Sequence, residues 1–190
     1  MIPPEAIAVV LLAAGSSSRF GTADKLAQTL DGLPLGLHAA RTLSRLPFAA
    51  RIAVTRPDGP DFRSQEFAPV INPDPDAGQS GSIRLGLAAA RLAEPRAVLI
   101  ALADMPFVTI AHIAALMVQF DSDAGVVASS DGGRALPPAL FDATHFPALE
   151  TLTGDAGARA LLREATLVAA PPAELRDIDT IEDLHAARTR

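Results

Sequence analysis

Ile7-Ala8-Val9-Val10-Leu11-Leu12-Ala13 carries no polar residue and runs straight into Ala14-Gly15-Ser16-Ser17-Ser18-Arg19-Phe20-Gly21-Thr22-Ala23-Asp24-Lys25. A short apolar run closed by a Gly/Ser cluster predicts a strand buried on both faces. The polar segment after it then lies beyond the carboxyl end of a strand, where open parallel sheets bind ligands. Gly15 permits a turn and a close approach of ligand to backbone. Backbone N–H groups and serine hydroxyls can point at phosphate oxygens, and Arg19 and Lys25 bring two positive charges. A polar strand-to-helix turn with two solvated cations is the alternative that these residues leave open.

Two familiar phosphate loops fail on spacing. The pattern G-x-x-x-x-G-K-[ST] is not met, because five residues separate Gly15 from Gly21 and Thr22 follows. G-x-G-x-x-G is absent from this segment as well, which disfavours a hydride-transferring dehydrogenase.

Outward from this loop, short apolar runs alternate with amphipathic stretches. Strands are expected at Ile7–Ala13, 51–55, 67–71, 97–103, 125–129 and 138–141. Helices are expected at 35–46, 82–92, 109–120 with Thr109 as N-cap, 155–164 and Ile181–Arg188. Uniformly apolar strands separated by helices predict an α/β fold, a mostly parallel sheet with helices on both faces.

With 190 residues, 49% apolar and 20% charged, the chain suits one domain over 1–190 with a full core. Cysteine is absent, which excludes disulfides, thiolate nucleophiles and metal–thiolate sites. Sixteen basic against 22 acidic residues leave a net charge of −6, which argues against a nucleic-acid partner. The first apolar run is too short to span a bilayer, and Met1-Ile2-Pro3-Pro4-Glu5 lacks the basic start of a signal peptide. A cytoplasmic protein with no membrane partner is the expectation. His38, His112, His145 and His185 form no metal-spaced pair and read as structural.

Leu12-Ala13-Ala14-Gly15-x-Ser17-x-Arg19-x-Gly21-x-x-x-Lys25 resembles the signature of nucleotidyltransferases acting on the molybdenum cofactor, most closely the cytidylyltransferase type. Further segments match that family in order. They are Asn72-Pro73-Asp74 with Gly78-Gln79-Ser80-Gly81-Ser82-Ile83-Arg84, then Ala101-Leu102-Ala103-Asp104-Met105-Pro106. Gly154-Asp155-Ala156-Gly157-Ala158-Arg159 and Asp177-Ile178-Asp179-Thr180-Ile181-Glu182-Asp183-Leu184 follow. The resemblance implies a three-layer α/β sandwich with a Rossmann-like sheet, of the nucleotide-diphospho-sugar transferase type. It also implies transfer of a nucleoside monophosphate from a nucleoside triphosphate, CTP favoured, to a phosphate on molybdopterin. Pyrophosphate leaves, Mg2+ is required, and a molybdoenzyme or its chaperone is a transient partner.

On this resemblance Lys25 binds the triphosphate, Arg19 stabilises the departing pyrophosphate, and Leu12, Ala13, Ala14, Gly15 and Ser80 lie at the nucleotide. Asp104 ends an otherwise apolar strand, a placement that favours metal ligation over capping of the turn before Pro106. Asp179 is the second metal ligand by similarity, although Asp177 could equally serve, and Thr180 with Asp183 also reads as a helix capping box. Ser80 and Ser82 open an expected helix, where free N–H groups favour anions. The segment ending at Arg159 falls on the acceptor side.

The chain departs from the family at three places. Phe20 replaces a usual methionine, and Ala103 a usual glycine. Ala135-Leu136-Pro137 stands where Gly-His-Pro is common, in a stretch expected to line the acceptor pocket, so a related phosphorylated acceptor remains open. Ala14, in place of a second glycine, points to the cytidine-using branch because its methyl group takes room from a purine. A guanylyltransferase, a sugar-phosphate nucleotidyltransferase and a non-catalytic carrier are the competing readings.

Overall fold

The computed structural model describes residues 1–15, 20, 24–120, 125–154 and 158–188. Arg19 and Asp155 lie outside them. β1 (Ile7–Ala13) is buried along its whole length, as its unbroken apolar run requires. It pairs in parallel with β4 (Ala50–Thr55) on one side and β6 (Ala97–Leu102) on the other. β5 (Ala68–Ile71) extends the parallel set beyond β4. On the other flank lie β8 (Ala135–Asp142), β7 (Val126–Ser130) and β9 (Thr166–Ala169). The seven-stranded order is β5-β4-β1-β6-β8-β7-β9. β8 runs antiparallel to both neighbours, while β9 is parallel to β7.

Helices cover both faces. Ile7, Val9 and Leu11 point to one core, shared with α1 (Leu35–Leu43) and α3 (Ile110–Gln119). Ala8, Val10 and Leu12 point to the other, shared with α2 (Gln79–Ala90) and α4 (Phe146–Glu150). The period-two alternation of side chains in β1 thus feeds two cores from one strand. A small third core joins Phe20, Leu30 and Leu35 to Ile178, Leu184 and Ala187. It seats α5 (Ile181–Arg188) against a two-stranded hairpin of β2 (Thr29–Leu30) and β3 (Leu33–Pro34). Among the described residues no helix is long and apolar enough to cross a membrane.

The expected mostly parallel sheet with helices on both faces is present. Thr109 caps α3, its hydroxyl accepting from the His112 N–H at 3.1 Å. The helix expected at 155–164 is a correction. Its described part is turn followed by a single 3-10 turn at Leu161–Glu164. Gly154 before it has φ +69°, a left-handed backbone that ends rather than begins a helix. Strand β9, which pairs beyond β7, was not expected from the sequence, and neither was α4.

α2 approaches the sheet through Gly86. A Cβ there would lie 2.3 Å from Val10 Cγ1 and 2.9 Å from Val54 Cγ2, and both valines are stiff in a buried sheet. Gly86→Ala should therefore cost about 1–3 kcal/mol, read as a lower urea midpoint with unchanged m-value. A variant as stable as the parent would show that the helix can move off the sheet freely.

Candidate active site

The chain leaves β1 toward β4 on one side and reaches β6 on the other, so a crevice opens at the carboxyl ends of β1 and β6. Gly15 follows β1 and Asp104 follows β6 at this rim. Lys25 enters from a 3-10 turn, Lys25–Ala27, capped by Asp24, whose Oδ1 accepts from the Leu26 N–H at 3.1 Å. Arg56, one residue past β4, pairs with that same Oδ1 at 2.8 Å. The turn that carries Lys25 is thereby pinned to the sheet.

Lys25 Nζ donates to Asp104 Oδ2 at 2.9 Å and to Asp179 Oδ1 at 3.0 Å. Burial pushes the ammonium's pKa down, but Asp104 and Asp179 outweigh it and hold the pKa above the ordinary lysine value. Lys25 therefore stays cationic throughout the neutral range. Asp104 Oδ1 is buried with no hydrogen-bond partner among the described residues. Asp177 is raised above the usual carboxylate range, first by desolvation and then by the charges of Asp179 and Asp104.

Asp179 reaches this place because the Ile178 N–H donates to the Asp104 carbonyl at 2.9 Å. Directly after it the capping box forms as expected. The Thr180 hydroxyl donates to Asp183 Oδ2 at 2.7 Å and accepts from the Asp183 N–H at 3.1 Å. Arg176 holds the other carboxylate oxygen at 3.0 Å. Contact of Asp179 with Lys25 and capping by its neighbours coexist in one segment.

Leu12, Ala13, Ala14, Gly15, Lys25, Asp104 and Asp179 line one cleft of about 290 Å³. A Cβ on Gly15 would meet nothing within 4 Å among the described residues, so the backbone there is open to a ligand. Gly78 enters α2 at φ +91°, a conformation suited to glycine, and α2 begins with no side-chain cap. The Ser80 N–H at its start donates to the Gly154 carbonyl at 3.4 Å, and Gly78 and Gln79 line the cleft. Ser80 is not at the cleft surface: it is fully buried and its Oγ has no hydrogen-bond partner among the described residues. Gln79 and Ser82 line the cleft instead. Asn72 Nδ2 donates to Ser82 Oγ at 3.0 Å, which leaves the serine's own O–H to donate. The helix starts at Gln79 rather than at 82, so Gln79 rather than Ser80 stands at its mouth.

A second cavity of about 650 Å³ shares Leu12, Gln79 and Leu102 with the first. Ile83, Ile100 and Phe141 supply apolar lining, and Arg134, Arg159 and Arg163 bring three guanidinium groups. Ala135, Leu136 and Pro137 line it too. The segments expected on the acceptor side thus meet in one place, and Arg163 joins them without any sequence signal. His38 and His112 are buried and structural, bonded to the Leu30 carbonyl and the Ser129 hydroxyl, each at 2.8 Å.

The MobA-like NTP transferase domain matches residues 9–170. The chain is 32% identical to purine catabolism protein PucB of Bacillus subtilis (strain 168), over 94% of this chain and 94% of that protein. Among solved structures, Rv0371c of Mycobacterium tuberculosis H37Rv superposes with a TM-score of 0.77 at 21% identity, covering 97% of this chain and 98% of that one. The same protein is also solved in complex with manganese, with a TM-score of 0.71 at 21% identity over 96% and 98% of the two chains. Molybdopterin-guanine dinucleotide biosynthesis protein A of Archaeoglobus fulgidus gives 0.67 at 17% identity, over 96% and 97%. These structural likenesses are of fold. The chain belongs to the MobA-like NTP transferase family and is a nucleotidyltransferase that uses a nucleoside triphosphate.

Asp183 provides a pH test of the segment that delivers Asp179. The Thr180 hydroxyl holds its carboxyl below the usual range, burial opposes this, and Arg176 with the Thr180 and Asp179 N–H groups adds to the lowering. A depressed carboxyl stabilises the fold fully above the ordinary aspartate pKa, and that gain is lost as pH falls through the lowered value. Asp183→Ala should cost about 1 kcal/mol at pH 7, and the gap to the parent in urea melts should close on acidification. Arg56→Ala should raise the apparent KM for the triphosphate with little change in global stability, because it frees the turn that carries Lys25.

Proposed function

We propose that the protein transfers CMP from CTP onto the phosphate of a phosphorylated acceptor, molybdopterin, and releases pyrophosphate. The junction of the two cavities carries this reading. One holds a lysine between two carboxylates beside the start of α2, and the other holds three arginines beside apolar walls. The triphosphate lies along the Leu12–Gly15 backbone and the first turn of α2, bound by Lys25 and by the hydroxyl of Ser82. Arg19 serves the leaving pyrophosphate on the family pattern. Arg134, Arg159 and Arg163 take the acceptor's phosphate, and the apolar walls take its ring system.

An oxygen of the acceptor phosphate attacks the α-phosphorus while the bond to the pyrophosphate oxygen breaks. A phosphate monoester has a second pKa near about 6 and is largely dianionic at neutral pH, so no general base is needed. The buried, structural state of His38 and His112 suits this chemistry. The barrier is charge against charge, about 4 kcal/mol per like pair at 4 Å and an effective dielectric of 20. Positioned cations offset it.

Asp104 and Asp179 are the residues that would hold Mg2+. The buried Oδ1 of Asp104, without a partner among the described residues, fits a hard cation. No group of three or more His, Cys, Asp or Glu is arranged for a metal among the described residues, which suits an ion that is completed by phosphate oxygens and water. When bound, the ion supplies Lewis-acid stabilisation of the triphosphate oxygens. The manganese complex of Rv0371c supports a divalent ion on this fold. Ala14 lines the cleft with a methyl group where a second glycine would leave more room, which favours a pyrimidine.

Pyrophosphate release with Mg2+, molybdopterin and each of CTP, GTP, ATP and UTP tests the reading. Turnover is expected with CTP. Turnover with GTP alone would reassign the nucleotide, and turnover only with a sugar phosphate would reassign the acceptor. Lys25→Ala should raise the KM for CTP about tenfold or more, on the scale of a lost charged hydrogen bond. Asp104→Ala should abolish metal-dependent turnover, and full turnover in that variant would refute the metal assignment.

A further inference from the structure

Lys25 occupies the space between the two carboxylates that a divalent ion would need. Its Nζ lies 2.9 Å from Asp104 Oδ2 and 3.0 Å from Asp179 Oδ1, and its side chain is only 11% exposed. The pair is thus bridged by a positive charge supplied from the chain itself. Asp104 still presents a buried oxygen with no partner among the described residues, so the place remains attractive to a cation. A divalent ion arriving alone would nevertheless meet an ammonium within coordination distance of the same oxygens. Two cations crowd one another there unless a further anion enters.

A triphosphate is that anion. It offers Lys25 a second set of oxygens in the same cleft, where the Leu12–Gly15 rim and the start of α2 already face inward. The turn bearing Lys25 need not move, because Asp24 caps it and Arg56 anchors Asp24. Rotation about the flexible four-carbon stem of the lysine is sufficient.

We infer that Lys25 is a built-in counter-ion that closes the Asp104–Asp179 place to free divalent ions, so that the protein takes its metal only together with a triphosphate. This rests on the assignment of Asp104 and Asp179 to the metal under the proposed function.

Mn2+ binding, followed by the loss of the free-ion electron paramagnetic resonance signal, tests it without turnover. The proteins are the parent, Lys25→Met, Lys25→Gln and the double variant Lys25→Met/Asp104→Asn, all without nucleotide. Both single lysine variants are expected to bind Mn2+ about tenfold more tightly than the parent or better, since they remove a competing positive charge. The double variant is expected to lose that gain. Equal affinity in the parent and both lysine variants overturns the inference, and so does a gain that survives in the double variant. Parent and Asp104→Asn are then compared with a non-hydrolysable CTP analogue present. Mn2+ binding beyond that of the analogue alone in solution, retained in Asp104→Asn at the parent's level, would refute the metal assignment itself. Loss of that binding, with lysine variants no tighter than the parent, would leave the assignment standing and remove the counter-ion role alone.

Discussion

One ammonium held between two carboxylates organises this molecule's working end. Lys25, Asp104 and Asp179 come from widely separated parts of the chain, and their meeting depends on three backbone arrangements. β6 must pair with β1 so that Asp104 emerges beside Gly15. Ile178 must bond to the Asp104 carbonyl so that Asp179 follows at the right height. The Lys25–Ala27 turn must be capped and anchored so that the ammonium points inward. Removing water from a lysine is unfavourable by itself, and the two carboxylates make it tolerable.

The sheet topology explains why the two cavities adjoin. β7 ends, and the antiparallel β8 begins, at the same rim where the parallel strands end. The connection between them therefore delivers Arg134 and the Ala135–Pro137 stretch beside the Gly15 cleft. A fully parallel strand at this position would have placed its first residues at the opposite rim. The antiparallel strand is what brings a second charged cavity against the first.

Charge distribution follows the same logic. The chain carries a net charge of −6, yet Lys25, Arg134, Arg159 and Arg163 gather at two adjoining cavities. An acidic surface discourages non-specific anion binding, while local cations in a partly desolvated crevice act more strongly than they would in water. Such concentration suits a reaction between two polyanions.

Local patterns were enough to mark several features: the strand Ile7–Ala13, the Thr109 cap, the Thr180–Asp183 box and the strand-ending Asp104. Each depends on residues within a few positions of one another, so periodicity, capping chemistry and loop composition carry the information. Only tertiary structure decided the direction of β8, the existence of β9, the depth of Ser80 and the places of Arg56 and Arg163. A short strand such as Thr166–Ala169 is defined by a partner distant in sequence, and the burial of Ser80 follows from where α2 begins and which face it turns to the sheet. Lys25, Asp104 and Asp179 were each visible in the sequence as candidates. That they share one charge network could be settled only by strand order and register, because long-range pairing leaves no local trace in the residues it brings together.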